Sequence, residues 1–157
     1  MLVAILHNIR SLHNVGSIFR TADGAGVDKL YLGGITPSPL DRLGRLKPQF
    51  DKVALGSHIS VPFESVRSTR TLIKKLKDQG YSILGLELAS KAILYSDFHP
   101  KNRKLALIVG NEVQGLRKDI LDLCDHMLMI PMRGAKESLN VSIAFGIVAY
   151  ELMRHNQ

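Results

Sequence analysis

Strand-like apolar runs alternate with amphipathic helical segments along this chain, which predicts an α/β fold: a mostly parallel sheet with helices on both faces. Three observations carry the prediction. Runs rich in strand formers recur at 2–6, 29–32, 83–88, 105–109 and 126–130. Between them lie stretches with apolar residues three and four apart, as at Val15, Ile18, Phe19 and Ala22. Glycines mark the joins, as at Gly24, Gly26, Gly33 and Gly34.

In order, 2–6 (LVAIL) reads as a first strand, and Asn14 as the cap of a helix over 15–25. A second strand covers 29–32. Residues 35–49 hold three prolines and three basic residues with no helix or strand period. A loop of that length is usually functional, with a disordered insertion as the alternative. A short helix around 50–55 leads to a strand-like 59–63. The segment 66–79 carries Val66, Leu72, Ile73 and Leu76 on an apolar stripe, has a lysine-rich face, and stops at Gly80. Strands at 83–88 and 105–109 flank a turn-rich connector at 95–102. A helix near 117–123, a strand near 126–130 and a final helix over about 140–154 complete the chain. That last helix is apolar nearly all round, so it needs cover on more than one side.

A chain of 157 residues fits one domain. The single cysteine, Cys124, excludes an internal disulfide and a cysteine metal cluster, and its apolar register makes it a core filler. No run reaches the roughly 18 apolar residues of a membrane span. The opening MLVAILHNIRS lacks a basic start and a cleavage site, so it is read as a strand rather than a signal, and a cytoplasmic location is expected. The net charge of +7 weighs toward a polyanionic partner such as nucleic acid.

In an open α/β sheet, ligands bind beyond the carboxyl ends of the strands, which directs attention to 7–14, 33–49, 110–115 and 131–140. No G-x-G-x-x-G, Walker A, H-E-x-x-H or nucleophile elbow occurs, and the six histidines lack ligand spacing, so no metal is expected. Arg20 lies in helical register with Ser17 and Asn14. Its guanidinium suits phosphate oxygens or a developing oxyanion, or equally an ion pair to a neighbouring element. Glu112, between Gly110 and Gly115 with Asn111 and Gln114 beside it, could order a ligand or another site residue, or simply solubilise a loop. In 130–140, Ser138 or Asn140 can cap the last helix, while Arg133 and Lys136 add positive charge.

Three stretches, NVGSIFRTADGAGV (14–27), LALIVGNEVQGL (105–116) and MIPMRGAKESLNVSIAFGIVAYEL (129–152), together resemble the three motifs of the SpoU branch of the SPOUT superfamily, RNA ribose 2′-O-methyltransferases. The resemblance spans essentially the whole chain. It implies a C-terminal deep trefoil knot, an exception to the rule against knotted connections. It further implies that S-adenosyl-L-methionine binds in loops near 86–91, 110–116 and 130–140, with Leu86, Gly110, Asn111, Gly115, Ile130, Met132, Ser138 and Leu139 as cofactor-binding residues. Asn14, Arg20, Glu112, Ser138 and Asn140 match the family's catalytic positions without departure. Homodimerisation through helices near 14–25 and 140–153 and a structured RNA substrate, tRNA or rRNA, are also implied.

The same resemblance leads us to expect one methyltransferase domain over 1–157 without a separate RNA-recognition domain. Substrate choice would then rest on 35–49, Arg133, Lys136 and the basic face of 67–77. A base methyltransferase, or a non-catalytic RNA-binding protein on the same fold, stays open beside the ribose reading.

Overall fold

The protein is described by a computed structural model over residues 1–154. Its centre is a seven-stranded sheet in the order β3-β2-β1-β6-β4-β7-β5. The strands are β1 (Leu2–His7), β2 (Lys29–Gly33), β3 (Phe63–Val66), β4 (Ser82–Leu86), β5 (Ile93–Leu94), β6 (Leu105–Val109) and β7 (His126–Met129). All their pairings are parallel. The helices are α1 (Leu12–Ala25), α2 (Pro48–Ala54), α3 (Ser57–Ser60), α4 (Thr69–Asp78), α5 (Lys118–Leu121) and α6 (Val141–Arg154), and a 3-10 turn covers Tyr95–Asp97.

Both sheet faces are covered, as the unbroken apolar runs of β1 and β6 require. Leu2, Ala4 and Leu6 of β1, with Leu105, Leu107 and Val109 of β6, pack into a cluster with α1, α2 and α6. Val3 and Ile5, with Ala106 and Ile108, point the other way into a cluster with α4 and α5. The side-chain period of two divides each strand between the two layers.

Four boundaries differ from expectation. The first helix starts at Leu12, capped by Ser11, whose Oγ accepts from the Asn14 N–H at 3.2 Å. Asn14 is therefore a buried residue inside α1 rather than its cap. Residues 59–63 are not a strand: the one-turn α3 occupies part of them and pairing begins at Phe63. The reason is non-local, since the Leu30 N–H bonds the Pro62 carbonyl (2.9 Å) and sets the register Leu30↔Phe63. Val66 belongs to β3, its carbonyl accepting from the Gly34 N–H at 3.0 Å, and α4 begins after its Ser68 cap. The helix expected near 117–123 is the single turn α5.

Residues 35–47 form an ordered loop that runs into α2. An isolated bridge joins Leu40 to Leu46. The Asp41 carboxylate accepts from the Leu43 and Arg45 N–H groups at 2.8 and 2.9 Å and from Arg45 Nε at 2.9 Å. Cys124 is partly buried; burial pushes its thiol up to about 11, and Sγ donates to the Ile120 carbonyl, so it sits as packing. Among the described residues no helix is long and apolar enough to cross a membrane.

Helices α1 and α6 cross closely at two glycines. A Cβ on Gly146 would lie 3.1 Å from Thr21 Cγ2, and one on Gly24 would lie 2.8 Å from the Tyr150 hydroxyl. The chain covers only one side of α6: Phe145, Val148, Ala149 and Leu152 are buried, whereas Ile143 and Tyr150 are each 55% exposed. Phe145 is fully buried between α6 and the sheet. Phe145→Ala should therefore lower unfolding stability by about 3–5 kcal/mol in urea titrations.

Candidate active site

A parallel sheet brings every strand's carboxyl end to one edge, and the loops there bound a cavity of about 190 Å³. It lies beyond β4, β6 and β7. Leu86, Gly110, Asn111, Gly115, Ile130, Met132, Ser138 and Leu139 all line it, together with Glu87 and Glu112. The loop after β6 fits only because of its glycines. A Cβ on Gly110 would sit 2.5 Å from the Gly115 carbonyl carbon, and Gly115 takes φ +62° with the Glu87 carboxylate where its Cβ would be. An isolated bridge from Asn111 to Gly115 closes the turn.

Glu112 faces the start of α1. Its carboxylate accepts from the Arg10 N–H at 2.9 Å, the Ser11 N–H at 3.0 Å and Asn14 Nδ2 at 3.0 Å. Backbone donors at a helix start have no partner within the helix, and the dipole there favours an anion. Asn14 then passes the connection on: its Oδ1 accepts from Asn140 Nδ2 at 3.1 Å. Asn140 caps α6, its Oδ1 accepting from the Ser142 N–H at 2.9 Å and its carbonyl from the Ala144 N–H at 3.0 Å. One chain of hydrogen bonds thus joins Glu112, Asn14 and Asn140. Desolvation pushes the Glu112 carboxyl up, but the donors from Arg10, Ser11, Asn14 and its own backbone outweigh it, and the net pKa lies below the ordinary glutamate value.

Of the five expected catalytic residues, Glu112 and Asn140 are joined through Asn14, and Ser138 lines the adjacent cavity. Arg20 does not join them. It is exposed on α1, and no hydrogen bond or ion pair links it to a described residue. Six residues along a helix place it about 9 Å from Asn14 in rise and about 120° around the axis.

Two residues escaped the sequence reading. Glu87 takes the Leu116 N–H at 2.8 Å and the Leu88 N–H at 3.0 Å. Its signal was an acidic residue inside the apolar run 83–88, which ends as a strand at Leu86. Asn8, with φ +56°, accepts from the Ile35 N–H through Oδ1 (3.1 Å) and from Asn111 Nδ2 through its carbonyl (2.9 Å), bracing three loops. Its signal was an asparagine just past a strand end, where the left-handed region is tolerated. Among the described residues no group of three or more His, Cys, Asp or Glu is placed to hold a metal.

The lowered Glu112 pKa carries a sign. A carboxyl depressed in the folded state stabilises above its unfolded value, and that contribution is lost as pH falls through the folded value. Glu112→Gln should cost about 1 kcal/mol at pH 7, discounted for the residue's exposure. The difference from wild type should narrow in urea unfolding as pH falls below the ordinary glutamate range; a pH-independent gap would contradict the assignment.

Comparison with known proteins places this geometry. Residues 1–150 match the model of the SpoU rRNA Methylase family. The chain is 34% identical over 153 residues to the 23S rRNA (guanosine-2′-O-)-methyltransferase RlmB of Neisseria meningitidis, covering 98% of this chain and 58% of that protein. It superposes on an AdoMet-bound rRNA methyltransferase from Sinorhizobium meliloti with TM-score 0.88 and 28% identity, covering 98% of this chain and 56% of that one. A TrmH/SpoU tRNA modifying enzyme from A. aeolicus gives TM-score 0.83 at 29% identity, with 98% and 74% covered. The chain thus spans little more than half of RlmB's length. It belongs to the SpoU rRNA methylase family.

Proposed function

We propose that this chain transfers a methyl group from S-adenosyl-L-methionine to a ribose 2′-hydroxyl of tRNA or rRNA. The observation that carries the reading is the hydrogen-bonded line Glu112–Asn14–Asn140 at the mouth of a cavity lined by the loops after β4, β6 and β7. The relatives support it: RlmB is named for guanosine 2′-O-methylation of 23S rRNA, and the S. meliloti enzyme binds AdoMet. The cavity residues fit such a donor. Leu86, Ile130, Met132 and Leu139 offer apolar walls for a purine, the glycines at 110 and 115 leave backbone open to a ligand, and Ser138 adds a hydroxyl.

When bound, the donor supplies an already activated methyl carbon. The protein's task is then to hold the ribose oxygen in line with it. Asn14, Ser138 and Asn140 orient the ribose and the 130–140 loop. Glu112 fixes the 110–116 turn against α1. Arg20 anchors the adjacent phosphate and stabilises the developing oxyanion, a role suited to a guanidinium that stays charged. Since Arg20 stands apart from the other residues within one chain, the reading requires a second copy to deliver it. The homodimer through α1 and α6, with Ile143 and Tyr150 as its open apolar face, meets that need.

The trefoil knot belongs to the same reading. Its support is a sheet order that runs β6-β4-β7, followed by a return of the chain to α1. A cytoplasmic location belongs to the same reading.

Methylated RNA digested to nucleosides should carry the new methyl on ribose; a methyl on a base would select the base methyltransferase, and no donor binding by calorimetry the non-catalytic reading. Arg20→Ala should lower turnover by about two orders of magnitude or more with donor affinity retained. Normal turnover by that variant would remove the role given to Arg20. RNA affinity should fall linearly with salt on logarithmic axes; a flat response would remove the phosphate contacts.

A further inference from the structure

We propose that the Glu87 carboxylate receives the two ribose hydroxyls of the methyl donor. This rests on the donor reading above and names the residue that would select the donor's sugar. Glu87 directly follows β4 and lines the cavity. Its carboxylate is held on both sides: Oε2 accepts from the Leu116 N–H at 2.8 Å and Oε1 from the Leu88 N–H at 3.0 Å. The left-handed Gly115 packs against it with no room for a Cβ. The group is therefore preorganised, with one backbone donor on each oxygen.

An ionised carboxylate has about four acceptor sites, so one remains on each Glu87 oxygen. Of the other polar side chains of the cavity, Ser138 offers a single uncharged hydroxyl, while Glu112 and Asn111 are committed elsewhere. Glu112 is occupied by the donors at the start of α1. Asn111 Oδ1 accepts from the Val113 and Gln114 N–H groups at 2.9 and 3.0 Å, and its Nδ2 donates to the Asn8 carbonyl. Glu87 is thus a charged acceptor on the cavity wall with capacity left. The remaining capacity is divided one site per oxygen, which matches two neighbouring donors. A vicinal diol presents such a pair; a single ammonium presents one centre on a flexible stem. A carboxylate just past a parallel strand serves ribose hydroxyls for the same reason in dinucleotide folds.

The test uses the intact protein, Glu87→Gln, and isothermal titration with three ligands: 5′-methylthioadenosine, its 2′,3′-dideoxy counterpart and S-adenosylhomocysteine. Wild type should prefer the diol compound by about tenfold or more, and Glu87→Gln should remove most of that preference. Equal weakening of all three ligands by the substitution would make Glu87 only a clamp on the 110–116 turn and overturn the proposal. Weakening of S-adenosylhomocysteine alone would assign the carboxylate to the ammonium instead, and also overturn it. Should the variant fail to fold, a wild type indifferent to the missing hydroxyls overturns the proposal by itself. A wild type that binds none of the three overturns the donor reading, and this assignment with it.

Discussion

The geometry of the site depends on an anion placed at the start of a helix. Glu112 reaches from the loop after β6 to the first turn of α1 and satisfies donors at Arg10, Ser11 and Asn14. Charge-assisted bonds of this kind are about twice as strong as neutral ones, and a helix start otherwise leaves its first N–H groups to solvent. The contact also orders what lies further away. Gly16 lets α1 approach α2, with Phe50 O and Val53 Cβ at 3.3 and 3.1 Å from where a Cβ would be, and Gly24 and Gly146 do the same between α1 and α6. Fixing α1 against the 110–116 turn therefore fixes the layer that carries Asn140.

The loops at the sheet's carboxyl edge are held by side chains because they have no ladder of their own. Buried or crowded backbone groups need partners, and here three amides and two carboxylates supply many of them. Asn8 joins the loops after β1, β2 and β6; Asn111 pins its own turn; Glu87 ties the loop after β4 to Leu116. Thr36 adds an anchor from inside the loop after β2, its buried Oγ accepting from the Ile9 N–H at 3.0 Å and donating to the Leu6 carbonyl at 2.7 Å. A cavity between such loops is shaped by short polar contacts, and single side chains there carry more consequence than in the core.

Much of this was legible in the sequence, for a physical reason. Strands buried on both faces must be apolar throughout, so β1 and β6 announce themselves as LVAIL and LALIV. What failed locally was decided at a distance. Residues 59–63 carry strand formers, yet the strand starts at Phe63 because β2 offers its partners there. Ser11 and Asn14 are both capable caps, and sequence alone favoured Asn14; its burial beside Glu112 and Asn140 leaves Ser11 at the helix start. Glu87 was overlooked despite standing as an acid in an apolar run, because its contact is with Gly115, 28 positions later. The three motifs supplied the residues joined in the line Glu112–Asn14–Asn140; the position of Arg20 relative to them did not follow from order alone.

Two features of α1 and α6 bear on the proposed homodimer. Helix α6 is apolar nearly all round, but its own chain buries only the side bearing Phe145, Val148, Ala149 and Leu152. Covering a large apolar side chain such as Ile143 or Tyr150 yields about 1.5–3 kcal/mol when it is complete. That gain is unused in a single chain. Arg20, on the neighbouring helix, is likewise exposed, at about 9 Å of helical rise from Asn14. An ion pair within the chain would have explained it, and none exists among the described residues. Under the proposed homodimer one association meets both conditions: it covers the open face of α6 and presents an arginine to a site that its own chain leaves incomplete. Such a dimer would make catalytic competence depend on assembly, because the apolar contact and the positive charge would come from the same pair of helices.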